Sequence, residues 1–276
     1  MKLSWSVLEI IDIKDFKKYF KEIYGNYLSP NGFCLLKSKY PYFVRVTSDG
    51  IVQSISFSRV NPNKTHSDIC DGFTIWIGLS LITLPLTDYN NKPNTLENEG
   101  WWMMPITNFF HSCSLSLDEY NEQHSKFSFY YQKDSYEDIC NSLQESIKEF
   151  MPFVLYFFNH YSTLEEMSKL KGNMRFGFYR DVVIINQMID EYIKEMETEF
   201  QKQLEQLVLI LDNNPMFRLS REKEKEEFLT NFNRKKQWFL ERKEGTSAYI
   251  EYMKNAVEIR DKNLQLLKEL GVDISY

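Results

Sequence analysis

Cysteine and histidine are scarce, with four of each in 276 residues. The cysteines (Cys34, Cys70, Cys113 and Cys140) are widely spaced and never form CxxC, so they spell neither a zinc ribbon nor a redox pair and read as free thiols. His66-x-Asp68 with Asp71 sits in a turn-rich stretch and reads as a solvated loop. His111-x-Cys113 with His124 lacks the close ligand pairs of a structural zinc site, and His160 ends an aromatic segment as a core or capping residue. No metal is expected. Glycine is thin as well: the ten glycines form neither GxxxxGK[ST] nor GxGxxG, and GxSxG is absent. Phosphate-cradling loops and the nucleophile elbow are thereby excluded, and no cofactor is expected.

Long hydrophobic runs are missing too. The uncharged stretch Gly72 to Thr87 is interrupted by Gly78 and Pro85 and is shorter than the ~20 residues that cross a bilayer. The first residues offer only Lys2 as a basic flank, and Glu9 and Asp12 break the apolar run, so no export signal is read there. A cytoplasmic protein with no membrane partner is the expectation. Excess positive charge is lacking: 33 Lys and Arg stand against 39 Asp and Glu, a formal charge of -6. That balance argues against a protein dedicated to coating nucleic acid.

What is present is a core. Hydrophobic residues make up 43% of the chain, enough to fold. Composition changes near residue 190: the stretch 190–276 carries 15 basic and 18 acidic residues, and no glycine occurs between Gly177 and Gly245. Six of the eight prolines precede residue 106. The front therefore reads as turns and strands and the back as long solvated helices. The expected division is a sheet domain over 1–161 and a helical region over 162–276.

Phe16, Tyr19, Phe20, Ile23, Tyr24 and Tyr27 recur at helical spacing behind a possible Asp12 cap, and Ser29-Pro30-Asn31-Gly32 ends that helix. Short β-rich runs follow at 33–37, 42–47, 51–60, 73–79 and 126–132. The second and third are joined through Asp49-Gly50, a hairpin signal. In 51–58 the odd positions other than Gln53 are apolar and most even ones polar, which predicts a strand with one wet face. Ser135 with Asp138 resembles a capping box and opens a helix that Pro152 is expected to kink or divide. Thr163 with Glu166 opens a short piece. Three amphipathic helices are expected at about 182–211, 220–243 and 247–270. Their apolar strips, Ile185, Ile189, Tyr192 and Met196 on one and Tyr252, Ala256, Ile259 and Leu266 on another, are expected to meet, or to pair two chains in a homodimer. The fold class that results is α+β, a mostly antiparallel sheet of four or five strands packed on helices and followed by a helical region.

Two features suit a binding surface. Trp101-Trp102-Met103-Met104 gathers residue types favoured at protein contacts, although closing one end of a sheet core uses the same residues. Arg175 and Arg180 bracket an aromatic stretch and suit an anion. Arg234-Lys235-Lys236 and Arg242-Lys243 with Trp238 and Phe239 have the residue types of an RNA clamp, but neighbouring acids dilute the field and favour a structural role.

The succession Asn31-Gly32-Phe33, Tyr42-Phe43-Val44-Arg45, Asp49-Gly50-Ile51-Val52-Gln53-Ser54-Ile55-Ser56-Phe57, Phe73-Thr74-Ile75-Trp76-Ile77-Gly78 and Trp101-Trp102 between two helices resembles an uncharacterised bacterial domain-of-unknown-function family of small α+β proteins, over about residues 16–160. The resemblance carries no catalytic residue with it. It implies a place beside bacterial toxin or defence genes. The resulting expectation is a non-enzymatic protein that binds another protein, an immunity or defence-system component. The alternative is a nuclease or other hydrolase whose acidic residues are dispersed along the chain.

Overall fold

The computed structural model describes residues 13–37, 41–60, 70–85, 103–105, 129–132, 135–170, 179–213, 221–272 and 274. They form helices α1 (Ile13–Leu28), α2 (Tyr136–His160), α3 (Leu164–Ser168), α4 (Tyr179–Ile185), α5 (Ile189–Asn213), α6 (Arg221–Leu240) and α7 (Ser247–Glu269). The strands are β1 (Cys34–Leu35), β2 (Phe43–Val46), β3 (Ile51–Val60), β4 (Cys70–Leu81), β5 (Met103–Pro105) and β6 (Phe129–Gln132). The sheet is antiparallel throughout in the order β1-β2-β3-β4, and β5 and β6 share the outer edge of β4, so six strands fill five positions. The fold is α+β, with helices C-terminal to the sheet. The expected Asp12 cap lies outside the described residues.

Two compact units result: Met1–Gly177 with Glu258–Tyr276, and Phe178–Val257. The division differs from the 1–161 and 162–276 expected, because the end of the chain returns to the sheet unit. α7 is divided between the units at Val257 and Glu258.

In the sheet unit, α1 buries Phe16, Phe20, Tyr24 and Leu28, one residue per turn on a single face. The Phe16 and Phe20 rings meet the odd face of β3, with Phe57 4.7 Å from Phe20 and 4.8 Å from Phe16. α2 completes this layer: Ser135 accepts the Asp138 N–H as N-cap, and the Tyr24 hydroxyl bonds to Ser146 at 2.7 Å. Pro152 lies inside α2 without dividing it. It is solvent-exposed, where water can take the carbonyl it leaves unpaired.

The even face of β3 corrects the one-wet-face expectation. Val52, Ser54 and Ser56 are all buried. Val44 and Val52 form a second core with Leu36, Tyr42 and Ile82, and Leu267 and Val272 from the end of the chain complete it. The stop of α7 is built for that return. Gly271 takes φ 88°, its N–H reaches the Lys268 carbonyl, and the Val272 N–H reaches Leu267. This helix stop pairs its outer residue with the last turn, here Val272 with Leu267. Asn263 then donates to the carbonyls of Ile82 and Leu84, both at 2.7 Å. Leu266, partly buried, packs against this core as well.

In the other unit, α5 and α6 run antiparallel, because Tyr192 meets Phe239 while Phe200 meets Phe228 and Phe232. The helix expected over 182–211 is broken. Gln187 adopts φ 53°, and the Met188 N–H returns to the Val183 carbonyl, which ends α4 before α5 begins.

Candidate functional site

The break at Gln187 does more than end a helix. A non-glycine residue in the left-handed region is disfavoured by roughly 1–2 kcal/mol, and here side-chain bonds hold it there. Gln187 Nε2 donates to the Ile184 carbonyl at 2.7 Å, and its Oε1 accepts the Glu244 N–H at 2.6 Å. Lys243 pairs with Asp190 beside it. The turn after α6 is thus fastened to the start of α5, and Arg242 comes to the side of α4 that carries Arg180.

Both of these arginines approach one indole ring. The Arg242 guanidinium carbon sits 3.9 Å from the Trp238 ring centroid and that of Arg180 5.8 Å from it. Arg242 Nη1 donates to the Trp238 carbonyl at 2.8 Å, which fixes the fork one turn away on its own chain. Arg180 is largely exposed, while Trp238 and Arg242 are half-buried. Beneath them Asp181, 5% exposed, accepts the Tyr252 hydroxyl at 2.8 Å, and its other oxygen is 3.6 Å from Arg180 Nε.

Burial lifts the Asp181 carboxyl above the ordinary carboxylate range, against the opposing pull of the Tyr252 hydroxyl and the Arg180 charge. Burial, reinforced by the Asp181 charge, raises the Tyr252 phenol in turn. The native state therefore holds the Asp181 proton more tightly than the unfolded chain does. Its contribution to stability falls as pH rises through the native pKa, and is regained as pH falls toward the ordinary carboxylate value. Urea midpoints measured across that range should show wild type gaining on Asp181→Asn as the solution is acidified. Tyr252→Phe removes the donor from a buried carboxylate and should cost about 1–3 kcal/mol at neutral pH in the same assay.

Arg45 shows what a structurally committed guanidinium looks like in this chain. Its Nε donates to Gln53, Nη1 to the Asn31 carbonyl and Nη2 to Asn159, and it stacks on Phe33 at 4.7 Å. Gln53, fully buried, passes the network on to the Phe158 carbonyl. All three nitrogens are spent on holding β2, β3 and α2 together. Arg242 spends one.

Of the binding residues expected from sequence, Arg180 is in this cluster. Trp101, Trp102 and Arg175 lie outside the described residues, and Met103 and Met104 form β5 opposite Gly78 and Ile77. Trp238, Arg242, Asp181 and Tyr252 were not singled out as a site. In the sequence, Trp238 and Arg242 carry only the residue types of an RNA clamp, with a structural role favoured. His160 is exposed at the end of α2, stacked on Tyr156 with Nε2 4.0 Å from Glu166. Cys34 and Cys140 are free thiols. Among the described residues no three His, Cys, Asp or Glu side chains gather as metal ligands, and no helix is long and apolar enough to cross a membrane. No family model, curated protein or solved structure matches this chain.

Proposed function

We propose that the protein is a non-enzymatic binding protein acting through protein–protein contacts, with the Arg180–Trp238–Arg242 face as its recognition surface. The observation that carries this reading is the half-exposed indole with two guanidiniums 3.9 and 5.8 Å from its ring centroid. Tryptophan and arginine dominate the energetics of protein contacts, and preorganised side chains lose little entropy on binding. Leu209, Ile210 and Ile250, each at least 60% exposed on helices of the same unit, add apolar area of the kind such contacts bury. The resemblance of the front half to a bacterial family supports the finer reading of an immunity or defence component.

The test is capture from a bacterial host with wild type and with Arg180→Glu/Arg242→Glu in parallel. A partner held by wild type, lost by the variant and rebound after purification supports the reading. Capture that is identical for the two proteins removes this face from it. Light scattering on the same samples reads self-association through Leu209 and Ile210, and a monomeric full chain sinks the homodimer.

A further inference from the structure

We infer that the Arg180–Trp238–Arg242 face recognises carboxylates on an acidic segment of its partner, an inference that rests on the protein-binding reading above. The chemistry begins with unspent donors. Among the described residues, Arg242 Nε and Nη2 meet no acceptor, and Arg180 has only the 3.6 Å approach of Nε to Asp181. Two forks of planar N–H donors at one ring match carboxylate oxygens two at a time. The Asp181 carboxylate does not satisfy them. Asp181 is buried and turned to Tyr252, so it offsets part of the charge without chelating either guanidinium.

The rest of the unit narrows the ligand class. Residues 178–257 carry 13 basic and 15 acidic side chains, an acidic total. Four of the unit's eight lysines are engaged in ion pairs among the described residues. Lys236 pairs with Glu197, Lys243 with Asp190, Lys223 with Glu227 and Lys225 with Glu222. A nucleic-acid backbone presents a phosphate every few ångströms and needs a continuous basic surface to meet it. Two local guanidiniums within an acidic unit fit one or two carboxylates. Stacking on Trp238 and the bond to its carbonyl hold the Arg242 fork in place before anything binds, which favours recognition by geometry over diffuse attraction.

The experiment uses the full chain, with hexaglutamate, hexaglutamine, glutarate and a twelve-nucleotide single strand as probes in calorimetry at two salt concentrations. Hexaglutamate should bind, more weakly at the higher salt, and hexaglutamine should not. Arg180→Gln/Arg242→Gln should weaken hexaglutamate by about tenfold or more, because charge-assisted hydrogen bonds are lost. Arg242→Lys keeps the charge without the fork and should recover only part. Near-ultraviolet circular dichroism confirms that each variant keeps its fold. Equal binding by wild type and the double variant overturns the proposal. So does full recovery by lysine, glutarate binding as tightly as hexaglutamate, or an oligonucleotide binding more tightly than the peptide. A variant-sensitive partner in the capture experiment together with silent hexaglutamate overturns carboxylate recognition and leaves protein binding standing. Hexaglutamate binding without any variant-sensitive partner overturns protein binding instead.

Discussion

Phe20→Ala should lower the unfolding free energy by about 3–5 kcal/mol, the range for emptying a well-packed aromatic site. Phe20 is fully buried on α1. Its ring stacks on Tyr24 at 4.2 Å and lies 4.7 Å from Phe57, with Phe43 at 6.1 Å and Phe16 at 6.5 Å. Those neighbours come from α1, β2 and β3, so no single element can move to close the void. Each is itself held: Tyr24 by Ser146, Phe57 by its place in the ten-residue pairing of β3 with β4. The cavity should therefore persist, and its cost adds to the lost transfer free energy. The denaturant midpoint reads the effect, with an unchanged slope showing that the two-state reference is intact. Lys18→Ala, on the solvent side of the same helix, is the matched control and should shift the midpoint little. Equal midpoints for the two variants would mean that α1 does not dock on the sheet.

Gly50→Ala should cost about 2–4 kcal/mol, from two separable causes. Gly50 closes the β2–β3 hairpin at φ 76°, where its N–H reaches the Thr47 carbonyl at 2.9 Å. An L-residue there is disfavoured by roughly 1–2 kcal/mol. The remainder is crowding. The Gly50 carbonyl accepts the Ile82 N–H at 2.7 Å, so the two backbones are held together, and an added Cβ would lie 2.5 Å from Ile82 Cγ2. That methyl is on a β-branched side chain, 3% exposed and packed in the core with Val52 and Leu267. It cannot swing away as the end of a long side chain would. A double-mutant cycle separates the causes: in an Ile82→Ala background, Gly50→Ala should cost only the backbone part. Costs that are equal in both backgrounds would show that the crowding is relieved without penalty.

Local chemistry carried most of the secondary structure. The spacing of Phe16, Phe20 and Tyr24, the Asp49-Gly50 turn, and the caps Ser135 and Thr163 are each written within a few residues, and each stands where it was read. A helix face or a tight turn is decided by neighbours in the chain, so the signal and the structure share one length scale. The break at Gln187 was not legible, because no glycine or proline marks it. The bonds that hold the residue come from Ile184 and from Glu244 in the distant turn after α6.

The sequence by itself thus determined an antiparallel sheet between aromatic helices, a charged helical back half, and the scarcity of cysteine, histidine and glycine that removed the familiar catalytic motifs. Tertiary structure alone decided the partners. Alternation in β3 reported a polar even face, yet the return of Leu267 and Val272 helped to bury it, because burial depends on what the chain brings back from a distance. The candidate site has the same origin. Arg180 could be suspected from its own neighbourhood, but its companion expected from sequence was Arg175. Arg242 and Tyr252 reach it only through the Gln187 turn and the packing of α5 on α6, and contacts between residues so far apart leave no mark in local spacing.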